Sequence, residues 1–212
     1  MLQVHCLTFN YFYENTYIIA TEAGEAIIID PGCLELAEEN TLKAFIESHK
    51  LQLTKIVNTH CHLDHVFGNQ FVKDTYKIQM YCHANEQVIL DNNHLIAQMY
   101  GVKRYTPTKA DAYITENDTI QIGNHVLEIL YLPGHAPGHI GLYNKKDKWI
   151  ISGDVLFKGS IGRTDFPFCH HQDLIDSIKN KLFALPDETI VYAGHGEPTT
   201  IGYERKNNPF LV

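Results

Sequence analysis

Residues 58–69 read NTHCHLDHVFGN, so three histidines and an aspartate fall within six positions, directly after the apolar run that ends in KIVN. In an extended backbone the side chains of residues i and i+2 point the same way, so His60 and His62 can share one metal ion while Cys61 faces the opposite side. Asp64 and His65 follow as the chain turns toward a helix beginning near Gly68, which rotates them off that direction and suits them to a second ion. Imidazole and carboxylate are the donors expected for zinc, and less firmly for iron or manganese. The competing reading is an exposed polar loop whose histidines cap the next helix. Three further donors lie far along the chain: His135 in PGHAPGH, where Pro and Gly force a tight loop, Asp154 at the end of ISGD, and His195 in AGHGEP. Each alone reads as a turn residue. Their recurrence at the ends of expected strands points to joint metal coordination.

The elements that must position these residues follow from hydrophobic periodicity. TYIIA and AIIID, separated by TEAGE, read as a hairpin, and a helix is expected over Leu34 to Lys50. KIVNT then reads as a buried strand, GNQFVKDTY as a helix, IQMYC as a strand and ANEQVILDNNHLIAQMY as a helix. From about Thr119 the pattern changes to short runs, TIQIG, HVLEILYL, IGLYN and WIISG, as in an antiparallel meander. DLIDSIKNKLFAL reads as a helix, ETIVYAG as a last strand and TIGYERKN as a closing helix. Two β-rich blocks with helices predict an α/β fold, a four-layer αββα sandwich of two mixed sheets face to face with helices outside. Four strand ends, NTH, YLPGH, ISGD and YAGH, then carry the polar residues at one edge of that scaffold.

Length favours one domain, residues 1–212. Seventeen basic residues against 25 acidic ones, a formal net charge of −8, argue against nucleic acid as a partner. No stretch has the length or apolar continuity of a membrane span, and the N-terminus lacks a basic segment followed by a long apolar one. The five cysteines, Cys6, Cys33, Cys61, Cys82 and Cys169, are odd in number and scattered without a C-x-x-C pair, so they suggest neither a thiolate cage nor a disulfide framework, and reduced thiols in the cytoplasm are expected.

In their order and approximate spacing THCHLDH, PGHAPGH, GDVLF and GHGEPTTIG resemble the metal-binding motifs of the metallo-beta-lactamase superfamily. Within it, GDVLFKGSIGRTDFP and TTIGYERKNNPF resemble the short glyoxalase-II-like hydrolases, which consist of the sandwich without a C-terminal helical substrate domain. The resemblance implies two divalent metal ions, one held by His60, His62 and His135 and the other by Asp64, His65 and His195, with Asp154 bridging them. His139 is expected to face inward without being a ligand. Asp30 is expected either to orient a ligand histidine or to cap its own turn. Cys61, His83, His94, His170 and His171 are assigned to packing or surface.

The same resemblance implies hydrolysis of a thioester of the S-lactoylglutathione type, through attack by a hydroxide bridging the metals, with Asp64 orienting it and accepting its proton. The partner is then a small thioester, with glutathione as a candidate thiol. The lysine and tyrosine with which longer family members bind substrate are replaced by Arg163 and Asp165. Arg163 can pair bidentately with a substrate carboxylate, or form a salt bridge to Asp165 in its own loop. The alternatives are a mononuclear-iron persulfide dioxygenase, whose GRTDF segment is similar, and a lactonase or phosphoesterase on the same fold.

Overall fold

Tyr17–Ile19 and Ile27–Ile29, aromatic and β-branched runs that favour a pleated surface, are almost wholly buried in the middle of a six-stranded mixed sheet. The computed structural model describes residues 1–212, which group into two units: residues 1–113 with 121–125, and residues 114–120 with 126–212. In the first unit the strands lie in sequential order, β1 (Gln3–Phe9), β2 (Glu14–Ala20), β3 (Glu25–Ile29), β4 (Gln52–Val57), β5 (Gln79–Cys82) and β6 (Ala112–Tyr113). The first three pair antiparallel, and β3 to β6 pair parallel. Parallel neighbours need crossovers. These are supplied by α1 (Leu36–Ser48) after β3, α2 (Leu63–Val66) and α3 (Asn69–Tyr76) after β4, and α4 (Gln87–Met99) after β5. Helix α1 buries Leu42 and Ile46, one turn apart, and starts where Glu38 accepts hydrogen bonds from the backbone N–H groups of Leu34 and Glu35.

Strand β1 is not announced by the apolar pattern. It is the edge of its sheet, and Phe9 is its one buried residue, so it has no buried face to impose an alternation.

The second sheet has the strands β7 (Thr119–Ile122), β8 (His125–Tyr131), β9 (Ile140–Asn144), β10 (Trp149–Gly153), β13 (Ile190–Ala193) and β14 (Thr199–Thr200), in the spatial order β14-β13-β10-β9-β8-β7. Strands β11 (Leu156–Phe157) and β12 (Ser160–Ile161) pair with each other as a separate two-stranded ribbon. Strands β8, β9 and β10 form the expected antiparallel run, whereas β10 pairs with β13 parallel. The core of the second unit includes Leu132, Ile150, Val155 and Val191.

The expected helix DLIDSIKNKLFAL is resolved into α5 (His171–Asp176), a π-turn over Ser177–Lys181 and a 3-10 turn over Leu182–Ala184. The widened turn has a visible cause. Leu174, Ile178 and Leu182 are spaced at four residues and all are fully buried, and i→i+5 bonding winds more slowly than an α-helix, so it keeps this spacing on one face. Helix α6 (Ile201–Asn207) closes the chain. No helix is long and apolar enough to cross a membrane.

Candidate metal centre

In the first unit the polar cluster leaves the carboxyl ends of parallel strands, where open α/β sheets place their ligands. Asp30 follows β3, and Asn58, Thr59 and His60 follow β4; all four are buried. Asp30 holds a left-handed backbone, φ 48°, with its side chain turned into the cluster. Its Oδ1 accepts from the Thr59 N–H at 2.7 Å, and its Oδ2 accepts from the Thr59 hydroxyl at 2.6 Å and lies 3.2 Å from His65 Nδ1. A carboxylate that already accepts from its other neighbours requires His65 Nδ1 to be the donor, which puts the ring's lone pair on Nε2. The Thr59 hydroxyl spends its one hydrogen on Asp30, so its oxygen, 3.1 Å from His60 Nδ1, accepts there and gives His60 the same tautomer. Asp30 therefore sets two imidazoles, one directly and one through Thr59.

The rings of His60 and His65 are 4.1 Å apart and those of His60 and His62 4.9 Å, while Asp30, His60 and His65 each offer a donor atom within 4.8 Å of the others. Asp64 Oδ2 lies 3.7 Å from His65 Nε2. Glu14, fully buried, places Oε1 3.9 Å from His65 Nδ1. Burial pushes its carboxyl well above the usual carboxylate range, against the pull of His65 and with that of Asp30. The Thr16 hydroxyl is 2.9 Å from both Glu14 Oε2 and the Asp30 carbonyl oxygen, and its single hydrogen serves one of them.

In the second unit the loop between β8 and β9 closes with the Leu132 N–H donating to the His139 carbonyl at 2.7 Å and carries His135. His135 Nδ1 donates to the Arg163 carbonyl at 2.8 Å, again placing the lone pair on Nε2. Asp154 and His195 follow the parallel neighbours β10 and β13, whose ends are tied by the Gly194 N–H donating to the Gly153 carbonyl at 2.9 Å. Asp154 Oδ2 stands 3.5 Å from His135 Nε2 and 3.5 Å from His195 Nε2. Its backbone N–H donates to His139 Nε2 at 3.1 Å, so the buried His139 holds the Asp154 backbone.

Two glycines let this loop cluster close. A Cβ on Gly162 would lie 2.0 Å from the Asp154 carbonyl oxygen, and one on Gly134, φ 137°, would lie 2.2 Å from the Leu174 backbone nitrogen. Gly134→Ala is accordingly expected to lower the unfolding free energy by roughly 3 kcal/mol or more, combining overpacking with backbone strain. Urea denaturation measures it, and a loss below about 1 kcal/mol would show that the loop yields.

In the first unit His60, His62, Asp64 and His65 follow β4, and in the second His135 follows β8 while Asp154 and His195 follow the parallel strands β10 and β13. No thiolate stands among them, and three rings have the tautomer a divalent ion needs. Residues 10–195 match the family described as the metallo-beta-lactamase superfamily. The chain belongs to that superfamily. It is 36% identical over 212 residues to hydroxyacylglutathione hydrolase GloC of Haemophilus influenzae, covering 99% of this chain and 98% of the relative. The BLEG-1 B3 metallo-beta-lactamase crystal structure superposes with a TM-score of 0.90 at 35% identity, over 99% of this chain and 100% of that one. TTHA1623 in a di-iron-bound form gives 0.88 at 34%, over 98% and 100%. The two mixed sheets with their helices are the metallo-beta-lactamase fold, and the protein is a metal-dependent hydrolase of this superfamily.

Of the two readings of Arg163, the ion pair is present: Nε and Nη2 each donate to Asp165 at 2.7 Å, and the guanidinium stacks 3.9 Å over Phe166. Arg163 holds the Asp165 carboxyl down at about 2. Cys61 is buried, His83 accepts from the Asn85 N–H at a turn, and His94, His170 and His171 bond at the surface. Sequence reasoning missed the residues that hold the ligand segment's backbone. Asn10 donates to the Asp64 carbonyl at 3.1 Å, Asn58 to that of His65 at 3.0 Å and Asn93 to that of Cys61 at 2.9 Å, while the Cys61 N–H donates to Glu86 at 2.7 Å. Asn58 alone carried a signal, its place at the end of β4 beside the cluster.

Proposed function

We propose that this metallo-beta-lactamase superfamily member hydrolyses small thioesters of the S-lactoylglutathione type at a binuclear centre. In this reading His60, His62 and His135 hold one divalent ion, Asp64, His65 and His195 hold the other, and Asp154 is common to both, with zinc favoured over iron or manganese. The observation that carries it is the equal 3.5 Å separation of Asp154 Oδ2 from the Nε2 atoms of His135 and His195. One carboxylate oxygen shared by two imidazoles suits a bridged pair of ions, whereas the alternative, a mononuclear-iron persulfide dioxygenase, needs no second histidine there. The likeness to a hydroxyacylglutathione hydrolase over nearly the whole chain supports the thioester.

When bound, the ions lower the pKa of water so that hydroxide is available near neutral pH, and they polarise the carbonyl under attack. The chain's own residues supply position and proton transfer. Asp64, its side chain 18% exposed, is the acid of the cluster open to solvent, and its Oδ2 accepts the proton of the attacking water. Asp30 and Thr59 keep the ligand rings in one tautomer throughout. In this reading Arg163 pairs with a substrate carboxylate once it is released from Asp165. Asp165→Asn is therefore expected to lower KM for S-lactoylglutathione about two- to five-fold with kcat little changed, the scale of one exposed ion pair. Initial rates at low ionic strength measure it, and an unchanged or raised KM would remove Arg163 from the substrate site.

The proposed partner is this small thioester, not nucleic acid or a membrane. Five free cysteines fit a cytoplasmic setting. The deciding experiment is elemental analysis of the purified protein, then assay of each metal-restored form for S-lactoylglutathione cleavage and for oxygen uptake with glutathione persulfide. Two metals per chain with thioester cleavage support the proposal; one iron with oxygen uptake overturns it.

A further inference from the structure

Between the two histidines of the H-x-H pair lies a single residue, Cys61, and therefore two peptide planes. The plane joining His60 to Cys61 carries the Cys61 N–H, which donates to Glu86 Oε2 at 2.7 Å. The plane joining Cys61 to His62 carries the Cys61 carbonyl, which accepts from Asn93 Nδ2 at 2.9 Å. Glu86 ends the 3-10 turn that leads into α4, and Asn93 lies on α4 seven residues later, two helical turns on and so on the same face. Both side chains are fully buried, as is Cys61.

Resting on the reading of His60 and His62 as ligands of one ion, we propose that Glu86 and Asn93 are positioning residues that set the bite of the H-x-H pair. With the intervening residue free to turn, the separation and relative tilt of the two imidazoles would vary with its φ and ψ. Fixing both flanking peptide planes from one helix face removes that freedom. The rings are held 4.9 Å apart and nearly perpendicular, at 89°. The tautomer is set elsewhere, by Thr59 and Asp30, so the two devices act on different properties of the same ligands.

The test uses the full chain, stripped of metal and titrated with Zn2+ against a chromophoric chelator, and separately with Co2+ read by its visible absorption. Glu86→Ala and Asn93→Ala are each expected to weaken metal binding about 10- to 100-fold, the range for residues that orient ligands, and to alter the Co2+ spectrum. Glu86→Gln keeps a carbonyl acceptor and is expected to restore binding to within a few-fold of the parent; it also serves if Glu86→Ala fails to fold. Glu204→Ala is the control for a merely structural role. Glu204 is equally buried and accepts from Thr199, Gly159 and Asn208, none of them at the centre. Parent-like affinity and Co2+ spectrum in folded Asn93→Ala and Glu86→Ala, or an equal loss in Glu204→Ala, would overturn the proposal. His60→Ala with His62→Ala separates the two levels: if that pair of changes leaves the metal content intact, the ligand reading itself has failed.

Discussion

Asp64→Ala and Asp64→Asn are each expected to lower kcat for thioester cleavage by about 10²- to 10⁴-fold, the usual contribution of a positioned general base, while KM stays within a few-fold. Apart from the ion it would help to hold, the side chain can be removed without disturbing the fold, because the backbone at this position is held independently: the Asp64 carbonyl accepts from Asn10 Nδ2 at 3.1 Å, and the Asn10 N–H in turn donates to Glu38 at 2.7 Å. Stability should accordingly move by about 0.5 kcal/mol or less. The asparagine variant keeps the size and polarity of the side chain and cannot take a proton, so it separates proton transfer from packing. Steady-state kinetics with metal content verified on the same sample measures both. Parent-like kcat in Asp64→Asn would assign the proton to another acceptor.

The parts of this centre that a reader can find along the chain are those whose side chains face the site from consecutive positions. His60 and His62 follow from strand geometry, and the structure places Cys61, between them, fully buried. Asp154 and His195 show themselves by ending apolar runs, and the parallel pairing of β10 with β13 brings them to neighbouring strand ends. The supporting residues leave no such mark. Glu86 and Asn93 act on backbone groups 25 and 32 positions away, and Asn10 acts across 54, and a contact with a peptide group constrains neither the identity nor the spacing of its partner. Glu14 is hidden for a different reason. An acid at the head of the apolar strand β2 reads as the solvent-facing start of that strand, yet it is fully buried. Edge strand β1 and the π-turn after α5 escaped for lack of a buried face in one case and for a spacing intermediate between helix types in the other.

Asp30 marks where fold and chemistry can be pulled apart, because one carboxylate serves both. Asp30→Ala removes the acceptor for the Thr59 N–H, the Thr59 hydroxyl and His65 Nδ1 at once, in a site where Asp30 is 1% exposed. Leaving buried donors without their charged partner is expected to cost about 3–5 kcal/mol, so much of this variant should be unfolded at 37 °C. Asp30→Asn has a different expected outcome. The amide oxygen at Oδ1 still accepts from the Thr59 N–H, but the amide nitrogen at Oδ2 presents a donor to the Thr59 hydroxyl and to His65. Rotation of the hydroxyl relieves the first conflict and removes the acceptor from His60 Nδ1; the second is relieved by moving the His65 proton to Nε2. The folded state then survives with a loss of about 1–2 kcal/mol, while both rings are released from the tautomer a metal requires, and affinity for Zn2+ falls about 10- to 100-fold. Ring nitrogen shifts in the metal-free protein report the tautomer directly. If His65 keeps its proton on Nδ1 in Asp30→Asn and zinc binds as in the parent, Asp30 supports only the turn after β3.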